Sequence, residues 1–399
     1  MGLNEVVSAE RIHIGFFGLR NAGKSSLVNA VTGQSLSVVS DVKGTTTDPV
    51  KKAMELLPLG PVVIIDTPGF DDEGLLGEKR VEKTNEILSK IHIAVLVSDA
   101  SADFTEKEAE LVALFKKREI PYIVAYNKSD IIENHIDLKD NEILVSALKG
   151  ENIDLLKEKI GTLSKSLSKP RYIISDKIDE GDTVIMVTPI DESAPKGRLI
   201  LPQQLTLREI LDKKCTAIVC QPEQLKGTIE NLKAEPRLVI TDSQVFGKVA
   251  EILPVDVPLT SFSILMARYK GDLEALVEGA SKLRTIKDGD KILISEGCTH
   301  HRQCNDIGTV KMPNWIRNFT GSEPEFSFTS GGEFPEDLSG YSLVVHCGGC
   351  MLNEKEMKYR QVKAQEQGIP MVNYGVAIAM MHGILKRSLE IFPDVAERI

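Results

Sequence analysis

The sequence of 399 residues lacks the features that define several classes of protein. No stretch reaches the roughly 18 apolar residues that a membrane-spanning helix needs, and the polar segment 1–10 does not resemble a secretory leader. The net charge is −10, and no basic stripe with interleaved aromatic residues occurs. We therefore expect a soluble, cytoplasmic protein that binds neither nucleic acid nor a membrane.

Cysteine is scarce and unevenly placed, with six in the whole chain. Cys215 and Cys220 bracket an apolar segment and are interpreted as core residues. The other four, in the last part of the chain, are Cys298, Cys304, Cys347 and Cys350. Because disulfides are not expected in the cytoplasm, clustered thiols indicate metal or redox chemistry.

The remaining composition is that of an ordinary globular protein, with 42% apolar and 27% charged residues. The length indicates two or three domains, and the polar, serine-rich segment 163–170 predicts a linker. We predict an α/β chain with a P-loop GTPase domain, a small dimerisation domain and a cluster-binding domain. Their predicted bounds are 1–168, 169–258 and 259–399. A single long helix is predicted over Pro258–Ile286.

An apolar strand over residues 12–17 leads directly into residues 18–25, which match the phosphate-loop pattern GxxxxGK[ST]. Glycines let the backbone fold around phosphates, so that N–H groups and a helix N-terminus point at the negative charge. Lys24 is expected to reach the β- and γ-phosphates and Ser25 to bind Mg²⁺. The expected nucleotide contacts of this loop are Gly18, Asn21, Ala22, Gly23, Lys24, Ser25 and Ser26.

Three further elements follow in the order that a guanine-nucleotide site requires. Asp66–Gly69 (DTPG) ends a second strand, where Asp66 would hold Mg²⁺ through water and the Gly69 N–H would sense the γ-phosphate. Residues 127–130 (NKSD) supply a carboxylate, Asp130, that accepts both N1–H and N2–H of guanine. The third element is 146–148 (SAL), which resembles the SAK element that backs the base, so the expected contacts to the base are Asn127, Lys128, Asp130, Ser146 and Ala147. This part of the chain is predicted to bind GTP.

Residues 10–165 resemble the TrmE/Era-like GTPases of the translation-factor class. Residues 44–48 (GTTTD) are similar to switch I of that family, which implies that Thr46, or else Thr45, binds Mg²⁺. Phe70 stands where Ras-like proteins carry a water-positioning glutamine, so hydrolysis must be assisted in another way. The residues expected to act in hydrolysis are Lys24, Thr46, Asp66 and Gly69.

The same resemblance implies that the side-chain oxygen of Asn21 binds K⁺, which would take the place of an arginine finger. The alternative is that Asn21 only closes the loop. A general base is expected within residues 71–78, where Glu78 is one candidate and no single residue is assigned.

Two apolar strands near the C-terminus, 291–295 and 342–345, are each followed by thiols and imidazoles. Strands of an α/β sheet build sites at their carboxyl ends, so we expect one site there. A structural zinc would take Cys298, His300, Cys347 and Cys350, whereas a [4Fe–4S] cluster would take the three cysteines and leave one iron open. The residues by themselves leave both interpretations open.

The arrangement CxH…HCxxC, downstream of a TrmE-like GTPase domain, resembles the HydF family of FeFe-hydrogenase maturation GTPases over the whole chain. The resemblance implies a [4Fe–4S] cluster on Cys298, Cys347 and Cys350. His300 and His346 would each be the fourth ligand or a supporting residue, and a carboxylate or an exchangeable ligand are the other candidates. His301 and Cys304 are interpreted as bystanders.

The resemblance also implies a role for the whole protein. The chain would be a homodimeric, GTP-hydrolysing scaffold that carries a transient diiron precursor, assembled with two radical-SAM maturases, to apo-FeFe-hydrogenase. The alternative from another class is a ribosome- or RNA-associated TrmE/Era-like GTPase with a structural zinc site.

Overall fold

The computed structural model describes seven stretches of the chain, and every structural statement below refers to them: residues 8–33, 50–68, 84–132, 137–167, 170–190, 199–297 and 306–399. The chain divides into two compact units, 1–170 (unit 1) and 171–399 (unit 2), which are described separately. No helix in these stretches is long and apolar enough to cross a membrane.

Unit 1 is built on a six-stranded sheet in the order β2-β3-β1-β4-β5-β6. Only β2 runs antiparallel to its neighbour, and the other strands are parallel. Their apolar runs are buried because helices pack on both faces of the sheet. The strands are β1 (Ile12–Gly18), β2 (Val50–Leu56), β3 (Gly60–Asp66), β4 (Ile93–Asp99), β5 (Tyr122–Asn127) and β6 (Glu142–Leu144).

The helices of unit 1 connect these strands, as parallel pairing requires. A capping box starts α2, in which Thr105 accepts from the Glu108 N–H and Glu108 accepts from the Thr105 N–H. The labelled helices are α1 (Lys24–Thr32), α2 (Glu106–Lys117) and α3 (Ile153–Leu167), and residues 84–88 are also helical. Since α3 continues to Leu167, the linker predicted from residue 163 was wrong in its first half.

Unit 2 contains two four-stranded parallel sheets. The first, in the order β10-β9-β7-β8, comprises β7 (Thr183–Val187), β8 (Thr216–Cys220), β9 (Leu238–Thr241) and β10 (Leu259–Ser261). The second, in the order β12-β11-β13-β14, comprises β11 (Lys291–Glu296), β12 (Glu325–Ser330), β13 (Leu343–His346) and β14 (Met371–Asn373). One continuous hydrophobic core serves both sheets. Cys215 and Cys220 lie in that core, which confirms their interpretation.

Helices alternate with the strands of unit 2. They are α4 (Leu201–Asp212), α5 (Leu225–Glu230), α6 (Phe246–Ile252), α7 (Phe262–Lys270), α8 (Leu273–Ala280), α9 (Met312–Thr320), α10 (Glu354–Glu366), α11 (Tyr374–Met381), α12 (Leu385–Ser388) and α13 (Pro393–Ala396). The alternation confirms the α/β class. The three-domain division stays a prediction, and β10, which lies beyond the predicted boundary at 258, pairs with β9 of the first sheet.

The single helix predicted over Pro258–Ile286 was wrong. The segment begins with strand β10, and the Ser261 side chain then caps α7 by accepting from the Ile264 N–H. Asp272 caps a second helix, α8, and a 3₁₀ turn at Ser281–Thr285 follows it. Local capping chemistry, which an apolar pattern does not reveal, breaks the helix at Gly271.

The order of the strands in the second sheet indicates where a ligand site can form. The chain passes from β11 to β12 on one side, and then to β13 on the other side of β11. Such a reversal opens a crevice at the carboxyl ends of the strands, where α/β proteins bind ligands. Gly297, which follows β11, and Cys347, which follows β13, are in contact there.

Candidate functional site

The phosphate loop of unit 1 connects β1 to α1. Gly23 has φ +82°, and a Cβ there would collide with the Asn127 amide, so only glycine fits. Lys24 begins α1 and is buried, and Asn21 is exposed with φ 63°. The loop therefore leads into a helix N-terminus, which is the arrangement that binds phosphate groups.

Beside this loop lies a pair of oxygens suited to Mg²⁺. The Ser25 hydroxyl donates to Asp66 Oδ2 over 2.8 Å, and Asp66 is buried at the end of β3. The other carboxylate oxygen, Oδ1, is buried and has no hydrogen-bond partner among the described residues. An unpaired buried carboxylate oxygen is costly, and a bound cation would satisfy it. The donor set therefore fits Mg²⁺.

The base-recognition elements lie at the ends of β5 and β6. Asn127 joins them to the phosphate loop: its Nδ2 donates to Ala22 O over 3.0 Å and its Oδ1 accepts from the Ala147 N–H over 3.0 Å. The Ser146 hydroxyl donates to Asp130 Oδ1 over 2.6 Å. That hydrogen bond is the main cause of the lowered pKa of Asp130, which keeps it a carboxylate. An ionised carboxylate at this point can accept two N–H groups of guanine.

The crevice of unit 2 lies at the carboxyl ends of β11 and β13. These strands are parallel neighbours, with Ser295 opposite His346. The Cys347 sulfur accepts the Gly297 N–H over 3.1 Å and the Gly349 N–H over 3.4 Å. Burial raises the pKa of the Cys347 thiol to about 11, and these N–H groups act against that effect. The structure thus places Gly297, the residue that follows β11, against the Cys347 sulfur.

Cys350 is three residues after Cys347, and Lys270 of helix α7 stabilises the turn between them. Gly349 has φ +61°, which lets the chain reverse between the two thiols. Lys270, at the end of α7, is 1% exposed, and its Nζ donates to Cys350 O over 3.0 Å and to Leu352 O over 2.7 Å. Neither thiol is in a disulfide.

His346 points into the protein, and both of its ring nitrogens have partners. Arg360 donates to Nε2 over 3.0 Å, so the proton is on Nδ1, which lies 2.8 Å from Cys347 O. Both His346 and Arg360 are buried, and Arg360 also donates to Glu356 over 2.9 Å. Burial first, and then the Arg360 charge, lower the pKa of His346 to about 3, so the ring is neutral.

The comparisons with known proteins divide the chain in the same order as the motifs. Residues 13–128 match the family described as 50S ribosome-binding GTPase. Residues 173–271 match the hydrogen maturase F dimerization domain, and residues 274–391 match the hydrogen maturase F tetramerization domain. Together the last two cover more than half of the chain. The chain belongs to the hydrogen maturase F family. Its first domain is a GTPase domain.

Curated relatives resemble only part of this hydrogen maturase F chain. GTPase Der of Wolinella succinogenes is 36% identical over 187 residues, which are 42% of this chain and 40% of that protein. The tRNA modification GTPase MnmE of Clostridioides difficile is 35% identical over 154 residues, which are 37% of this chain and 33% of that protein. The chain thus spans two fifths or less of the length of these relatives.

Solved structures also match part of the chain. A variant of Aquifex aeolicus Era bound to GDP·AlF4⁻ has a TM-score of 0.35 and 22% identity, and the match covers 52% of this chain and 91% of that one. The G domain of the T. maritima FeoB iron transporter has a TM-score of 0.30 and 23% identity, over 39% of this chain and 99% of that one.

Several predicted site residues of this hydrogen maturase F member lie outside the described stretches. They are Thr45, Thr46, Gly69, Phe70, residues 71–78, Cys298, His300, His301 and Cys304. Within the described stretches, no group of three or more His, Cys, Asp or Glu side chains is arranged to hold a metal ion. The roles of the predicted site residues that lie outside the described stretches therefore stay predictions.

Motif reasoning missed two buried cations of the crevice, Lys270 and Arg360. Lys270 occurs in the sequence FSILMARYK, where two basic residues at the end of a mostly apolar run were a weak signal. Arg360 occurs in a helix rich in charged residues, where nothing in the pattern distinguishes it from solvent-exposed neighbours. Only the packing of α7 and α10 shows that both charges are inside.

Proposed function

We propose that this chain is a GTP-hydrolysing carrier that binds a [4Fe–4S] cluster and delivers a diiron precursor to apo-FeFe-hydrogenase. The observation that carries the proposal is the crevice of unit 2, where the segments after β11 and β13 meet at the Gly297–Cys347 contact. The family membership and the GTPase domain of the same chain support it.

The proposed roles at the nucleotide follow from the contacts in unit 1. Lys24 neutralises the phosphate charge, and Asp130 selects guanine. Ser25 and Asp66, together with Thr46 from switch I, would hold Mg²⁺ beside the γ-phosphate, and Gly69 would respond to its presence. All these groups act by positioning and charge, which is the main source of catalysis in phosphoryl transfer.

The thiols of the crevice fit an iron–sulfur cluster. We propose that Cys347 and Cys350, with Cys298, are its ligands. N–H groups that already point at the Cys347 sulfur suit a thiolate that carries negative charge. When bound, the cluster would supply an iron with an open position, at which the diiron cargo can attach.

We propose that His346 supports the cluster site and is not its fourth ligand. Its Nε2 accepts from Arg360 and its Nδ1 faces Cys347 O, so a ligand role would require breaking one of these buried contacts. In this position the ring fixes the Cys347 backbone. His300 remains the histidine candidate for the fourth position.

We propose that Asn21 binds K⁺ and that the cation assists hydrolysis. The exposed side chain at the phosphate loop is the supporting observation. The rate of GTP hydrolysis should rise severalfold when K⁺ replaces Na⁺ at constant ionic strength, and an Asn21→Ala variant should lose that difference. Equal rates of the wild type in the two salts would contradict the proposal.

Self-association through the middle segment, 169–258, is a further part of the proposal. Strand β8 is an edge of the first sheet of unit 2, and Val219 on it is 43% exposed. An apolar edge strand is a template for pairing, and the segment matches a dimerization domain. We propose that β8 pairs with β8 of a second copy, so that Val219→Lys should shift the chain toward the monomer in light scattering.

GTP is proposed to control the contacts with partners. Switch segments that order around the γ-phosphate change the surface that a radical-SAM maturase meets. The affinity of a maturase for the chain, measured by titration, should therefore differ between the GTP-bound and GDP-bound forms. Identical affinities would contradict this role.

The proposed function is tested by transfer to apo-FeFe-hydrogenase. The chain, loaded anaerobically in the presence of both maturases, is mixed with the apo-enzyme, and hydrogen evolution is measured. We expect activity with the wild type and none with Cys347→Ser, while Cys215→Ser, which changes a core thiol, should behave as the wild type. Hydrogen evolution that does not depend on Cys347 would overturn the proposal.

A further inference from the structure

Lys270 comes from outside the segments that bear the thiols, yet it contacts the turn between them. It ends helix α7, within the stretch that matches the dimerization domain, whereas the CGGC turn belongs to the stretch that matches the tetramerization domain. The side chain is 1% exposed, so its ammonium group is taken almost completely out of water. A buried charge needs close polar partners.

Those partners include backbone carbonyls of the turn and of the residues that follow it. Lys270 Nζ lies 3.5 Å from Gly349 O, 3.0 Å from Cys350 O and 2.7 Å from Leu352 O. Three carbonyls around one ammonium group fix the direction of three peptide units. Hydrogen bonds to a charged donor are about twice as strong as neutral ones.

Two of these peptide units are the ones that flank Cys350. The unit between residues 349 and 350 has its carbonyl on Lys270, and so does the unit between residues 350 and 351. The ammonium group therefore holds the backbone on both sides of the residue that carries the second thiol.

We infer that Lys270 is a positioning residue that fixes the CGGC turn and places a buried positive charge beside it, and that it thereby raises the reduction potential of the cluster. The inference rests on the proposed function, because the turn must hold a cluster. A nearby positive charge stabilises the more negative, reduced cluster. Removal of the charge should therefore make the cluster harder to reduce.

The test compares variants that separate the charge of Lys270 from its hydrogen bonds and its volume. Lys270→Gln keeps a donor without the charge, Lys270→Arg keeps the charge, and Lys270→Met removes both. Lys358→Met is the matched control, because Lys358 is a largely exposed lysine of the same unit, paired with Glu354. Each full-length chain is loaded anaerobically, and its iron and sulfide contents are measured before a redox titration followed by electron paramagnetic resonance.

At a fixed potential, Lys270→Gln should show at least about a tenfold lower ratio of reduced to oxidised cluster, which corresponds to ~59 mV for one electron. Lys270→Arg and Lys358→Met should titrate as the wild type. If Lys270→Met fails to fold, the Gln and Arg variants still decide the question, since both retain a donor.

The possible failures are distinguishable. A loaded wild type and a loaded Lys270→Gln variant with the same potential would overturn this inference and leave the proposed function standing. A wild-type chain that takes up no iron and sulfide would overturn the proposed cluster, and the inference with it. An equal shift in Lys270→Gln and Lys358→Met would assign the effect to overall charge and would also overturn the inference.

Discussion

The two sites of this chain are assembled in opposite ways. The nucleotide site of unit 1 is built from short motifs, each of which follows one strand and carries its functional residues close together in the sequence. The crevice of unit 2 combines the CGGC turn with residues far away in the chain, such as Lys270 and Gly297, and its charges are buried. The comparison teaches that residues within short motifs are visible in a sequence, whereas residues that reach a site only by packing are not.

The largest effect expected is the loss of the cluster on Cys347→Ser, with no change in unit 1. A serine hydroxyl does not replace a thiolate as an iron ligand, so bound iron should fall from about four atoms per chain to near zero. GTP hydrolysis should stay within about twofold of the wild type, because the substitution lies in the other unit. Cys215→Ser is the control, since that thiol is buried and donates to Asp179 O over 2.9 Å. Iron retained by Cys347→Ser would break the comparison.

The reverse experiment is Lys24→Ala. Removal of the ammonium group from the phosphate loop should slow GTP hydrolysis by roughly 10²–10³-fold, the usual cost of one electrostatic contact to the transition state. Iron content should not change. Lys116→Ala, at an exposed position of α2, should have no effect on the rate. Kinetic assays and iron analysis of the same preparations measure both results, and a loss of iron in Lys24→Ala would show that the sites are not independent.

The buried ion pair of unit 2 gives the next largest effect. Arg360→Met leaves Glu356 and His346 without their cation, and loss of one partner of a buried pair costs about 3–5 kcal/mol. Lys358, which is largely exposed, pairs with Glu354 on the same helix, and Lys358→Met should cost only about 0.3–0.5 kcal/mol. Trp315, the single tryptophan, lies in unit 2 and reports its unfolding by denaturant. Similar losses in the two variants would contradict the account of a buried network.

Unit 1 contains a histidine whose titration gives a smaller effect. Burial lowers the pKa of His13 from 6.5 to about 4, so at intermediate pH the unfolded chain binds a proton that the folded chain does not. The contribution of His13 to the free energy of unfolding is therefore fully present above pH 6.5 and is lost as the pH drops toward 4. The loss between pH 7.5 and 5 is about 2 kcal/mol. Hydrogen exchange of the β1 amides measures this loss, and His13→Asn should remove most of it. A wild type with no such dependence would contradict the burial argument.

The smallest effect concerns the support of the base-binding carboxylate. Ser146→Ala removes the hydroxyl that donates to Asp130, so the carboxylate loses one hydrogen bond that fixes its position. Because Asp130 is partly exposed and water can replace the lost donor, we expect GTP affinity to fall only about fivefold, as measured by isothermal titration. A loss as large as that of Lys24→Ala in hydrolysis would show that Ser146 does more than orient Asp130.

The features of the fold and of the two sites that could be predicted from the sequence are those carried by short motifs. Three strands of unit 1 were predicted because each is an apolar run that ends at a motif. They are the strands that lead to the phosphate loop, to Asp66 and to Asn127. The cysteine pair at 347 and 350 was visible from its spacing, and one site at the carboxyl ends of the two apolar strands was expected from the α/β pattern. Lys270 and Arg360 were not visible, because their burial depends on how α7 and α10 pack. The break of the helix at Gly271 was missed for the same reason, since Asp272 acts as a cap only in that context.

The central claim, that one chain holds a GTPase site and an iron–sulfur site, is tested most directly by metal analysis after anaerobic purification of the full chain. Iron, acid-labile sulfide and zinc are measured together on the same brown or colourless preparation. The account predicts about four irons and about four sulfides per chain, with little zinc. Zinc without sulfide would contradict it and would favour a GTPase with a structural zinc site.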